Sequence, residues 1–208
     1  MTVKLFVEGG GDTNKLRTDC RRGFSGFLRS AGIGASPRIV ARGSRESAYQ
    51  AYKTAIANGE LAMLLVDSEG PVSKDHSRGD PSKWQPWSHL KQRDAWEKPP
   101  GTPDTDCHLM VQVMESWVVA DPETLEAYFG KGFDSTQLPG ADTLVEDVSK
   151  DDIARCLAAA AKKTKKKGYQ KGRDSFRLLE QVNGTLVIAK SGWAKRFVAG
   201  VRQALDRR

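Results

Sequence analysis

Residues 61–71 read LAMLLVDSEGP, an apolar run from Leu61 to Val66 that stops abruptly on Asp67 and Glu69, with Ser68 between them. A strand inside a parallel sheet is covered on both faces, so it reads as a continuous apolar run instead of an alternating one. Just upstream, Asn58-Gly59 ends a helix that Ser44 and Ser47 can cap and that carries Ala48, Tyr52, Ala55 and Ile56 at helical spacing. Pro37 to Ala41 and Val3 to Val7 are short strand candidates, and Thr13 to Ala31 between them places Leu16, Cys20, Phe24, Phe27 and Leu28 at helical spacing. Strands alternating with helices of this length imply βαβ units and an α/β fold, with a mostly parallel central sheet and helices on both faces. In such sheets ligands gather outside the carboxyl ends of the strands.

That edge collects acids. Val3 to Val7 ends on Glu8, the run at Leu61 ends on Asp67 and Glu69, and a further apolar run, Cys107 to Met114, ends on Glu115. Crowded carboxylates repel one another, and a hard divalent cation such as Mg²⁺ or Mn²⁺ is the usual stable resolution. The D-x-E spacing lets Asp67 and Glu69 lie on the same side of an extended segment and reach one ion. Glu8 then serves as a further ligand or as a proton shuttle, and Glu115 supports the site as a metal ligand. Each acid alone has a structural use: Asp12, Thr13 or Asn14 can cap the helix after Glu8 without any metal. It is the convergence of all of them that points to a site. The glycines of EGGGDTNK lack the G-K-[ST] that a P-loop requires, and are expected to let backbone approach the site at φ values other residues resist.

The chain has 208 residues, enough for one domain with a substantial core. A sheet core is expected from 1–69 and 107–130, a long loop insertion with a short helix near Pro86 to Asp94 over 70–106, and a helical C-terminal part over 150–208. Helices are expected at Trp117 to Ala120, Pro122 to Phe129, Lys150 to Lys163 and Trp193 to Leu205. The net charge of +7 favours a polyanionic partner. Lys162 to Arg177 alone holds eight Lys or Arg against one Asp, and within it Lys165, Lys166, Lys167, Lys171 and Arg173 are candidate phosphate contacts, with Tyr169 available to stack on a base. A solvated surface loop is the competing reading of that run. His108 is expected in the core, His76 and Arg78 could reach a phosphate, and the tryptophans of the long loop, Trp84, Trp87 and Trp96, are expected to pack it down. Three widely spaced cysteines suggest reduced thiols rather than a disulfide framework or a zinc site, and no apolar stretch suits a signal peptide or a membrane span. A cytoplasmic protein is therefore expected.

VEGGGD followed by LLVDSEG resembles the Toprim domain, whose pattern is a Glu after the first strand and a D-x-D after the third. That pattern forms the metal site of primases, topoisomerases and overcoming-lysogenization-defect nucleases. The later segments HLMVQVMESWVVADPETLEAYFG, KKGYQKGRDSFRLLEQV and WAKRFVAGVRQAL resemble a bacterial Toprim-like family named only as a domain of unknown function, so the resemblance spans nearly the whole chain. It places Glu8 on the family glutamate, Asp67 and Glu69 on the D-x-D with Glu in place of the second Asp, and Glu115 and Asp121 on the acids of the ESW..AD motif. It implies a single Toprim-like domain, a Mg²⁺-dependent phosphodiester reaction on nucleic acid, DNA ahead of RNA, and pairing with an ABC-type or AAA-type ATPase in phage defence. The alternative is a non-catalytic nucleic-acid-binding or regulatory subunit of such an ATPase.

Overall fold

The computed structural model describes residues 2–11 and 13–207. Along the chain run β1 (Lys4–Val7), α1 (Asn14–Ser30), β2 (Arg38–Ala41), α2 (Arg45–Ala57), β3 (Ala62–Asp67), α3 (Pro86–Asp94) and β4 (Cys107–Met110). They are followed by α4 (Glu115–Val119), α5 (Pro122–Phe129), α6 (Lys150–Ala161), α7 (Ser175–Gln181), α8 (Gly184–Lys190) and α9 (Gly192–Asp206). The four strands form one parallel sheet in the order β2-β1-β3-β4.

The continuous apolar strands are accounted for by the two faces of this sheet. Leu5, Val7, Met63, Leu65 and Met110 point into a core shared with α1, α4 and α9, whereas Phe6, Leu64, Val66 and Leu109 point into a second core with α2 and α3. The 70–106 segment, expected as a loop insertion, is thus part of the fold: Trp87, Leu90 and Trp96 cover the second face, and Trp96 stacks on Tyr49 with ring centroids 4.5 Å apart. Burying large aromatics of this kind offsets part of the entropy cost of ordering so long a connection.

The C-terminal part likewise completes the first core, through Phe176, Leu178, Phe197 and Val201. α7 lies very close to α1, because a Cβ at Gly23 would come within 2.8 Å of the Phe176 carbonyl oxygen and one at Gly26 within 2.6 Å of that of Glu180. Only glycines permit that approach, and it carries Ser175 and Phe176 to the sheet edge.

Among the expected features, Thr13 caps α1 by accepting from the Leu16 N–H at 3.2 Å, while Asp12 lies outside the described residues. The run Cys107 to Met114 is strand only as far as Met110. Val113 and Met114 turn into the first core and begin the entry to α4, so Glu115 opens a helix instead of ending a strand. No helix among the described residues is long and apolar enough to cross a membrane.

Candidate metal centre

Chain order runs from β1 outward to β2 and then crosses back over β1 to β3, so the strand order reverses between β1 and β3. A crevice forms at such a reversal, outside the carboxyl ends of the strands. Glu8 follows β1 and Asp67 closes β3 at this crevice, and the Val7 and Leu65 pairing sets the two acids side by side. Carboxylate oxygens from Glu8, Asp67 and Glu69 all lie within 4.8 Å of one another.

Backbone geometry produces this crowding. Gly9, Gly10 and Gly11 adopt φ of 113°, 88° and 47°, turning the chain sharply after Glu8. Gly9 exchanges backbone hydrogen bonds with Gly43, at 3.0 and 2.8 Å, and a Cβ on Gly9 would lie 2.7 Å from the Phe176 ring. After Asp67, Ser68 and Glu69 donate their N–H groups to the carbonyls of Met110 and Gln112, at 2.9 and 2.8 Å, so the β3–β4 pairing continues past the strand. Glu69 sits at φ 60°, a left-handed conformation that costs a non-glycine residue about 1 kcal/mol or more.

The three acids differ in environment. Asp67 is 4% exposed, and its Oδ1 is buried with no hydrogen-bond partner among the described residues. Burial, together with the nearby charges of Glu8 and Glu115, holds its carboxyl well above the usual range. Burial also pushes the Glu8 carboxyl up to about 7, against the Asp67 N–H that donates to Glu8 Oε2 at 3.1 Å and the Arg45 guanidinium 3.7 Å away. For Glu69 burial acts in the same direction, but the Lys150 ammonium 2.8 Å away outweighs it and the carboxyl lies below its usual value.

Such a set is costly in the metal-free fold, because buried charge without a partner is among the most destabilising arrangements. The residues fit a hard divalent cation. Carboxylate oxygens are its preferred donors, and the unpartnered Oδ1 of Asp67 faces a need that a cation meets.

Around the triad stand groups that the sequence did not single out for the site. Arg45 donates from Nε to the Asp67 carbonyl at 3.0 Å and grips Asp94 through both terminal nitrogens, at 2.8 and 2.9 Å, with its guanidinium over the Trp96 ring. His89, kept neutral by burial, meets the Ser68 carbonyl at 3.0 Å through Nε2. Ser68 itself donates to the Gly70 carbonyl at 2.6 Å, which commits its hydroxyl hydrogen to the backbone.

Glu115, expected as a metal ligand, stands beside the triad and is not one of the acids clustered within 4.8 Å. Its Oε1 accepts from the Tyr169 hydroxyl at 2.8 Å and from Ser175 at 3.3 Å, and its Oε2 lies 3.9 Å from the Lys171 ammonium. Those partners already satisfy it, so its geometry suits an anchor better than a ligand. Asp121 caps α5 through the Thr124 N–H at 3.1 Å and accepts from the Asn183 N–H at 2.8 Å, which is a structural use of that acid.

The basic run divides. Lys171 reaches the acids and is raised by Glu115, Asp67, Glu8 and Glu69 despite the opposing effect of burial, while its side chain stays 72% exposed. Lys165 and Lys167 project into solvent. Lys166 sits 3.3 Å over the Tyr128 ring, and Arg173 pairs with Asp174 at 2.8 Å. Tyr169, expected as a free base-stacking ring, is half-buried with its hydroxyl committed to Glu115 and Ser175. Neither His76 nor Arg78 lines the cleft of about 250 Å³ that Glu8, Asp67, Glu115 and Lys171 share.

Fold and site together define an α/β protein with a carboxylate cluster at the strand-order reversal of a parallel sheet. The chain belongs to the family described as Domain of unknown function (DUF4276), whose family model matches residues 7–202. No curated protein and no solved structure matches it.

Proposed function

We propose that the chain is a Toprim-like, metal-dependent nuclease that cleaves phosphodiester bonds, acting in the cytoplasm on nucleic acid, DNA ahead of RNA. The observation that carries this reading is the buried, unpartnered Oδ1 of Asp67 within a group of three carboxylates, with Lys171 across the cleft. Asp67 and Glu69 would hold Mg²⁺ or Mn²⁺. When bound, such a cation polarises a phosphoryl oxygen and lowers the pKa of water. Glu8, held beside Asp67 by the Asp67 N–H that donates to its Oε2 at 3.1 Å, would take a proton from the attacking water. Lys171 supplies the positive charge that draws a phosphate into an acidic cleft, and Glu115 fixes it there.

Incubating the purified protein with labelled DNA and RNA in Mg²⁺ or Mn²⁺ tests the proposal. Cleavage is expected to fall by about 10²-fold or more in Glu8→Gln and Asp67→Asn and to stop in EDTA. Equal cleavage by Asp67→Asn and wild type would reject it.

A second reading is favoured by the capture of Glu69 by Lys150. In it the chain is a regulatory or nucleic-acid-binding subunit of an ABC-type or AAA-type ATPase in phage defence. Nucleic-acid binding that survives EDTA, without cleavage, and co-purification with such an ATPase would select it.

A further inference from the structure

Next to the acids, a groove of about 430 Å³ runs along α6. Buried Val113, Ile153 and Leu157 form its apolar floor. Ala154 and Ala158, exposed and one helical turn apart, keep its helix side low, and Tyr169 lines it as well. Lys150, 2.8 Å from Glu69, Lys171, 3.9 Å from Glu115, and exposed Asp151 also line it, and it shares Glu69, Glu115 and Lys171 with the metal centre and its cleft. A molecule lying here therefore meets both an apolar surface and two ammonium groups, close to the candidate cation.

Resting on the nuclease reading, we propose that this groove is a subsite for one unpaired nucleotide adjoining the scissile phosphate, which makes single-stranded or frayed nucleic acid the substrate. The apolar slot takes the base and Lys150 and Lys171 take phosphate oxygens, a charge pattern that an apolar peptide or a lipid tail would leave unmatched. The volume lies within the roughly 300–1,000 Å³ of small-molecule sites, room for a single nucleotide, and an apolar slot takes the face of a base only when that base is unstacked. Tyr169 thus regains a role in base contact as part of a fixed slot, with its hydroxyl pinned by Glu115 and Ser175. A duplex would first have to extrude a nucleotide, at a cost of a few kcal/mol.

The test compares one sequence as single strand, as duplex with an unpaired patch and as full duplex, with wild type, Ala158→Trp and Ala154→Trp. Cleavage is read in Mn²⁺ and binding by fluorescence anisotropy in Ca²⁺. Ala154 and Ala158 are exposed, so both variants should fold, and an unchanged circular dichroism melt checks this. Wild type is expected to prefer the strand with unpaired bases, and filling the slot to weaken single-strand binding by about tenfold or more. Mn²⁺ binding should be unchanged in both variants. Slot-dependent binding without cleavage would reject the nuclease reading and keep the subsite. Cleavage and binding indifferent to both tryptophans, or a preference for intact duplex, would reject the subsite. Wild type that binds no nucleic acid would overturn both.

Discussion

Two buried charged clusters sit at opposite ends of the same sheet. At the N-terminal end of β4, Arg196 of α9 is 4% exposed yet has a partner for each of its three nitrogens, donating to the carbonyls of Pro81, Cys107 and Asp104 at 2.8, 2.7 and 2.7 Å and to His108 Nδ1 at 3.0 Å. Its four acceptors come from three stretches of chain, so one cation ties α9 to β4 and to the 70–106 segment. At the C-terminal end, Asp67 is equally buried, but it faces other carboxylates and keeps one oxygen without a partner. The difference separates a charge whose partners the fold supplies from a group of carboxylates that the fold leaves one partner short. His108 lies beside the first cluster: burial, and then Arg196, keep it neutral, and its Nε2 is buried with no hydrogen-bond partner among the described residues.

This contrast can be broken at either end. The largest expected effect is at the Arg196 cluster. Arg196→Ala would leave the buried Cys107 carbonyl and the partly buried carbonyls of Pro81 and Asp104 without their charged donor, and should cost about 3–5 kcal/mol in urea unfolding. A loss under about 1 kcal/mol would remove the distinction drawn between the clusters.

At the acidic end a smaller effect of opposite sense is expected. Glu8 has its folded-state carboxyl raised to about 7 from an ordinary 4.5, so the folded state binds the proton more tightly than the unfolded chain does. Stability of the metal-free protein should therefore be greatest below pH 4.5 as far as Glu8 is concerned, and should fall as the pH rises to about 7, by about 3 kcal/mol. Asp67, also raised, acts in the same direction. Urea melts of wild type and Glu8→Gln across this range should converge at low pH and diverge toward neutrality, with the variant the more stable. Parallel curves would mean that Glu8 is not strained by burial.

Much of the fold could be read from the apolar runs. β1, β2 and β3 lie within one residue of the expected Val3 to Val7, Pro37 to Ala41 and Leu61 to Val66, because a strand buried on both faces leaves an unambiguous pattern. HLMVQVM misled for the same reason: Val113 and Met114 are buried by the turn into α4, and an apolar run does not say which element buries it. α7 and α8 escaped notice because they have seven residues each, and α7 depends on the close approach that Gly23 and Gly26 allow. In the site, Glu8, Asp67 and Glu69 were legible as acids at strand ends. Arg45, Asp94 and Lys150 were not, since their value comes from pairing across the fold with residues remote in sequence. The basic run was visible as charge, but only the fold separates Lys171, which faces the acids, from Lys166 and Arg173, which are held by Tyr128 and Asp174.

The most direct test of the central claim is calorimetric titration of Mn²⁺ into metal-free wild type and Asp67→Asn at pH 7, with the thermal melt of each followed alongside. Wild type should bind Mn²⁺, release protons as Glu8 ionises and melt higher when loaded. Asp67→Asn should bind none and melt above metal-free wild type, having lost a buried charge. Failure of wild type to bind Mn²⁺, or undiminished binding by Asp67→Asn, would contradict the assignment of these acids as a metal centre.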